Sequence, residues 1–196
     1  MRQGLPQGSV LAPILFLFFI NNLAKILPES ELISLFADDV SILVTDESKE
    51  EAAKRAQGVV DMVVEWSAKW KLTLNASKSE VSFFSVNTRT SEVEWKPVIT
   101  INGEPLEFKP TPRLLGVTLD RQLTFGPQVE KVTKEAESKM RMIAMLANLE
   151  WGWPNDQLRM VYQTFIMSKL GYAGPSWHNG CKKQAKANWS EPTTKH

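Results

Sequence analysis

Two adjacent carboxylates, Asp38 and Asp39, stand inside an otherwise apolar stretch, Leu32-Ile33-Ser34-Leu35-Phe36-Ala37-Asp38-Asp39-Val40-Ser41-Ile42-Leu43-Val44. A charge pair set among residues that favour burial opposes that burial and calls for a compensating partner. Hard carboxylate oxygens suit Mg²⁺, so the chemistry suggested is the holding of a divalent cation. The flanks alternate in part and are rich in Leu, Ile and Val, which predicts a β-hairpin with the acids at its tip. Read alone, the dipeptide is more simply an Asp-Asp turn, because aspartate favours turns by bonding its own backbone.

Three further blocks change the weight of that reading. Upstream stands Gln3-Gly4-Leu5-Pro6-Gln7-Gly8-Ser9-Val10-Leu11-Ala12-Pro13-Ile14-Leu15-Phe16. Downstream stand Leu74-Asn75-Ala76-Ser77-Lys78-Ser79-Glu80 and Leu114-Leu115-Gly116-Val117-Thr118-Leu119-Asp120. Taken singly, Gln7-Gly8 is a turn before a helix, Lys78 a solvated lysine, and Leu115-Gly116 a strand with a glycine. In this order and at these spacings, over residues 2–175, the set resembles a reverse transcriptase of the non-LTR retrotransposon type.

That resemblance implies RNA-directed DNA synthesis by two-metal nucleotidyl transfer, with an RNA template, a DNA primer and dNTP as partners and Mg²⁺ as cofactor. It implies metal binding and catalysis by Asp38 and Asp39, with Asp38 the firmer ligand, and a template-and-nucleotide loop at Gln7, Gly8 and Ser9. Asn75 and Lys78 would belong to the lysine motif, Lys78 protonating the pyrophosphate as a partly buried ammonium. Leu115 and Gly116 would form the primer grip, where glycine lets a strand approach the backbone. Members of the family often carry Tyr before Ala-Asp-Asp; Phe36 keeps the ring without the hydroxyl. Two Mg²⁺ about 3.5–4 Å apart need several carboxylates, normally from two strands. The family's further aspartate lies upstream of the Gln-Gly loop, and seven residues precede Gly8 here. The expectation is an N-terminally truncated copy with little activity alone, its missing part lost or supplied by another chain. The alternative is a non-catalytic nucleic-acid- or protein-binding remnant.

Composition fits this without demanding it. Apolar residues make up 43% and charged residues 23% of 196, ordinary for a globular chain. The single cysteine, Cys181, excludes an internal disulfide and fits an intracellular, reducing setting rather than secretion. With two histidines, a zinc site is not expected. Residues 1–122 carry 13 basic and 16 acidic side chains and residues 123–196 carry 10 and 6, a weak basic footprint for a nucleic-acid groove. The apolar run Val10–Ile20 is too short for a bilayer and lacks a cleavage pattern, so it reads as a buried core helix and no membrane is implied.

The elements that would position these groups give an α+β chain. Ser48 with Glu51 predicts a capping box opening a helix to Trp70, whose Trp66 and Trp70 favour core packing over base stacking. Leu72–Leu74 and Val81–Val86 read as strands around an Asn75–Lys78 turn, and Asn102-Gly103 as a hairpin turn between Val98–Ile101 and Leu106–Phe108. A loop spans Asn87–Lys96, and Leu114–Leu119 reads as one short strand. From Phe125 a helix follows with Met140, Met142 and Met145 as core filler, then a second helix capped by Asn155. With the resemblance, residues 1–122 become a partial polymerase palm, an antiparallel sheet with packed helices. Residues 123–175 become a helical thumb-like region, and 176–196 a disordered tail. A sheet edge left open at the N-terminal side predicts self-association.

Overall fold

The computed structural model describes residues 8–85, 94–147, 152–178 and 181. Helices and small sheets are mixed, as an α+β chain requires. The chain forms two compact units, the first made of residues up to Val81 with Lys96–Phe108, the second of Ser82–Trp95 with the residues from Lys109 onward. The sequence-based boundary near Gln122 follows a different criterion, the family's palm and thumb.

In the first unit, Pro13 in the opening turn sets helix α1, Ala12–Ala24. Strands β1 (Leu32–Phe36) and β2 (Asp39–Leu43) form an antiparallel hairpin in the register Ile33↔Ile42 and Leu35↔Val40. Helix α2 (Lys49–Lys69) buries Val59, Val63 and Trp66 at helical spacing. Their side chains join Ile20, Leu23 and Leu27 in one core, against which Phe16, Phe19, Ile33, Leu35, Ile42, Val44 and Leu74 pack. Trp66 is 5% exposed and its ring lies 5.7 Å from that of Phe19, so it is a core residue.

Several expectations are corrected here. The Val10–Ile20 run is helical from Ala12, but it is not fully buried: Val10, Leu11, Ile14, Leu15, Leu17 and Phe18 are exposed. Helical periodicity turns Ile14, Leu15, Leu17 and Phe18 away from the side of Phe16, Ile20 and Leu23, which meets the core. The capping box is not formed, since Ser48 makes no side-chain cap bond and its hydroxyl donates to Glu50 Oε2 at 3.0 Å. Leu72–Leu74 is irregular, because the Leu72 N–H closes α2 on the Ser67 carbonyl. Only β3, Glu80–Val81, forms a strand there, paired in parallel with β6, Glu107–Phe108; Val86 and most of the Asn87–Lys96 loop lie outside the described residues. Between them, β4 (Thr100–Ile101) and β5 (Glu104–Pro105) pair across Asn102-Gly103, both at positive φ as a primed turn demands.

In the second unit, the Leu114–Leu119 stretch is a hairpin rather than one strand: β7 (Arg113–Leu114) pairs with β8 (Val117–Thr118) around Leu115-Gly116. Helix α3 (Gly126–Leu146) follows, and buried Gln128 accepts the Thr118 N–H at 2.9 Å. Met140, Met142 and Met145 are exposed, not core filler, because α3 buries only its first turns. The second helical run begins as α4, Asn155–Val161, with Pro154 at the cap position and no side-chain cap from Asn155. It passes through a π-helical segment, Tyr162–Met167, into α5, Ser168–Gly171. A short α6, Gly174–Trp177, then buries Trp177 in a core with Val117, Val129 and Cys181, so these residues are packed where a disordered tail was expected. Residues 182–196 lie outside the described residues.

A polar brace fixes both ends of the first hairpin to α2. Glu31 precedes β1 and has a buried side chain, 2% exposed. Arg55 of α2 donates from Nη2 to Glu31 Oε1, and from Nη1 to the Thr45 carbonyl and Asp46 Oδ2, each of the latter at 3.0 Å. The Ser48 N–H bond, and after it the Arg55 guanidinium, hold the Asp46 carboxyl below its ordinary 3.8, while the two carboxylates raise Arg55. Removing the guanidinium leaves a buried acid without its cation, the costly way to break such a pair. Arg55→Met is therefore expected to lower the melting temperature, whereas Lys134→Met, which breaks an exposed pair with Glu130 at 2.7 Å, should leave it nearly unchanged; circular dichroism reads both. A depressed carboxyl contributes stability that is whole above its unfolded value of 3.8 and is lost as pH falls through the folded value. The stability difference between the wild type and Asp46→Asn should accordingly be full at neutral pH and disappear in acid below 3.8, as denaturant titrations at a series of pH values would show.

Candidate functional site

The hairpin register places Phe36 opposite Asp39, leaving Ala37-Asp38 as a two-residue turn. Ala37 has φ +51°, the left-handed region that primed hairpin turns require. For a residue with a Cβ that conformation costs roughly 1–2 kcal/mol. Side chains alternate along the strands, so Ile33, Leu35 and Ile42 face the core. Asp39 shares the other, outward face with Phe36, Leu32 and Leu43, all exposed. Asp38, on the turn, is outside this alternation, which frees the neighbouring acids from the opposite-face rule.

Both carboxylates are exposed. The inference from sequence that they need a partner is thus corrected: in water they carry no desolvation cost, and a cation is accommodated rather than demanded. Among the described residues no group of three or more His, Cys, Asp or Glu side chains is gathered to hold a metal ion. A pair of adjacent carboxylates does fit Mg²⁺ held by one or two protein oxygens with substrate phosphates completing its shell. It does not by itself meet the several-carboxylate requirement of a two-metal clamp.

The other predicted residues fall as follows. Gln7 lies outside the described residues. Gly8 is exposed with φ +85°, and among the described residues no atom lies within 4 Å of the position a Cβ would take. Ser9 is half-buried, and its carbonyl accepts the Ala12 N–H at 3.2 Å where α1 begins. Asn75 accepts the Ser77 hydroxyl at 2.7 Å through Oδ1, while its carbonyl accepts the Lys78 N–H at 3.2 Å and the Ser79 hydroxyl at 2.9 Å. That single 3₁₀ turn, Ala76–Lys78, leaves Lys78 exposed, the solvated lysine that the residue alone suggests, where a proton donor would be suited by partial burial. Because Leu74 packs against the same buried cluster as Phe16, Phe19, Leu35 and Ile42, the Asn75 turn, α1 and the acidic hairpin share one core. Leu115 and Gly116 form the tip of β7–β8 in the other compact unit, at φ +45° and +87°.

Two residues with a structural hold on these sites were not singled out from the sequence. Arg55 ties down the acidic hairpin across 24 residues to Glu31, and Tyr172 reaches the Leu115 carbonyl across 57. Neither has a local pattern to announce it; a conserved pairing across homologues is the kind of signal that finds such partners.

The family model for reverse transcriptase (RNA-dependent DNA polymerase) matches residues 1–119. A probable RNA-directed DNA polymerase from transposon BS of Drosophila melanogaster is 32% identical over 76% of this chain and 17% of its own length. The RNA-directed DNA polymerase from mobile element jockey of Drosophila funebris is 31% identical over 88% of this chain and 19% of its own. A Pol polyprotein from a type-1 retrotransposable element R1 of Nasonia vitripennis is 22% identical over 94% of this chain and 46% of its own. No solved structure gives a significant match. The chain thus spans under a fifth of the first two relatives, and no helix among the described residues is long and apolar enough to cross a membrane. On the match over residues 1–119 and these relatives, the chain belongs to the reverse transcriptase family, of the non-LTR retrotransposon type.

Proposed function

We propose that this chain takes part in template-directed DNA synthesis on RNA, with residues 1–122 as part of the palm and 123–175 as the start of a thumb. The observation that carries the reading is the acidic hairpin, whose exposed Asp38 and Asp39 rise from the same core that seats α1 and the Asn75 turn. Asp38 and Asp39 are the residues that would hold Mg²⁺, which, when bound, neutralises charge on the oxygens at the reacting phosphate. Gln7, Gly8 and Ser9 receive the template and the incoming dNTP; the space beside Gly8, clear of the described residues, supports that approach. Asn75 shapes the turn carrying Lys78, whose ammonium gives a proton to the leaving pyrophosphate. Leu115 and Gly116 meet the DNA primer. Cys181 as the lone cysteine supports an intracellular place of action, and the outer edges of the two-stranded β1–β2 sheet, which pair with no further strand among the described residues, support self-association.

Two exposed carboxylates support weak metal holding and do not by themselves supply the several carboxylates that a two-metal clamp uses, so these residues by themselves extend primers poorly. Primer extension on an RNA template, with Mg²⁺ and then Mn²⁺, is compared between this chain and Asp38→Asn, alongside anisotropy of a labelled primer–template. Duplex binding with extension no greater than that of Asp38→Asn is the expected result. Extension that the substitution removes keeps the polymerase reading and overturns its incompleteness. Neither binding nor extension overturns the reading and leaves a remnant that acts through protein contacts.

A further inference from the structure

The tip of β7–β8 is an unusual place for its residues. A two-residue hairpin turn with both residues at positive φ is normally Asn-Gly or Asp-Gly, because a short polar side chain steadies the left-handed conformation. Here Leu115 stands first at φ +45°, with no polar atom in its side chain to do so. The hold comes from outside the hairpin: the Tyr172 hydroxyl donates to the Leu115 carbonyl at 2.8 Å. The same ring covers Gly116, whose Cβ, were there one, would lie 3.2 Å from Tyr172 Cε1 and 3.5 Å from its hydroxyl oxygen.

Tyr172 is itself anchored. Its carbonyl accepts the Trp177 indole N–H at 3.0 Å, and its own N–H donates to the Lys169 carbonyl. Trp177 is 1% exposed and packs in the core with Val117, the residue that follows the turn. The contacts therefore close a ring running from the turn through Tyr172 and Trp177 back to β8. Tyr172 is nevertheless 54% exposed, so its ring stands at the surface beside the turn instead of filling a core.

We infer that Tyr172 is a positioning residue for the Leu115-Gly116 turn, setting the backbone geometry that the turn presents to the sugar-phosphate strand of a primer. This rests on the reading of Leu115 and Gly116 as a primer contact. It assigns to the segment after α5 a role in aiming the turn, and it gives Gly116 a second reason to lack a side chain, since a Cβ there would crowd the tyrosine ring.

Tyr172→Phe in the full chain removes the hydroxyl and keeps the ring and the Trp177 bond. Hydrogen exchange at the Gly116 and Val117 amides reads the turn, and anisotropy with an RNA–DNA primer–template reads the contact. Expected are exchange about fivefold faster at those amides and binding weakened about fivefold, the worth of one ordinary hydrogen bond. The melting temperature should move by no more than about 3 °C, a combination that a merely stabilising bond does not produce. Unchanged exchange and affinity within twofold of the wild type overturn the inference and leave the proposed function standing. If the wild type binds no duplex, the proposed function fails, and the exchange result alone decides whether Tyr172 positions the turn. Should Tyr172→Phe lose more stability than expected, the pair Gly116→Ala and Tyr172→Ala decides: Gly116→Ala must cost less exchange protection in the Tyr172→Ala background, and equal costs overturn the inference.

Discussion

A two-stranded β-hairpin is marginal in water without a surface to lie on. The placement of Asp38 and Asp39 therefore depends on the apolar seam beneath β1 and β2, where Ile33, Leu35 and Ile42, like Phe16 and Phe19, pack against the buried cluster that holds Val59, Val63 and Trp66. Each such side chain contributes roughly 1.5–3 kcal/mol when fully buried, so the seam outweighs the strain at Ala37 severalfold. The acids sit where burial stops. Their flanks are drawn down on one face, while the turn projects beyond the core and keeps both carboxylates in water.

Apolar burial is non-directional, and it leaves the hairpin's angle on the core loosely specified. The Arg55 brace supplies the direction that the seam lacks. One guanidinium reaches the residue before β1 and the residues just after β2, and the fixed fork of its donors constrains all three at once. Lysine at this place has the charge without the fork. The chemistry at the tip and the brace at the base are thus separate in residues and joined through two short strands.

How much of this was legible depended on sequence distance. The acidic hairpin and the Asn102-Gly103 turn were readable because alternation and turn residues lie within a few positions of one another. The β7–β8 hairpin was not, since Leu115-Gly116 lacks the polar first residue that marks a primed turn. The α1 run was readable as a helix but not as a half-exposed one: eleven successive apolar residues carry no sign of which side meets the core. The π-helical segment within 155–171 has no pattern of its own. Arg55 and Tyr172 escaped because their partners lie 24 and 57 residues away, and the side chains join only once two elements have packed. Lys78 reads from sequence as either a solvated lysine or a partly buried proton donor, because burial of a single 3₁₀ turn is set by elements far away in sequence; in the structure it is exposed.

The two glycines that the family likeness marks for close approach of a nucleic acid are physically unlike. At Gly8 no atom of the described residues lies within 4 Å of the place a side chain would take, which suits the proposed approach of a template or nucleotide. At Gly116 the corresponding room is taken by Tyr172. A primer strand at that turn consequently approaches past the exposed Leu115 and the tyrosine ring rather than across the missing Cβ. Glycine is favoured in both places by φ, but among the described residues only at Gly8 does the vacant side of the backbone remain uncovered.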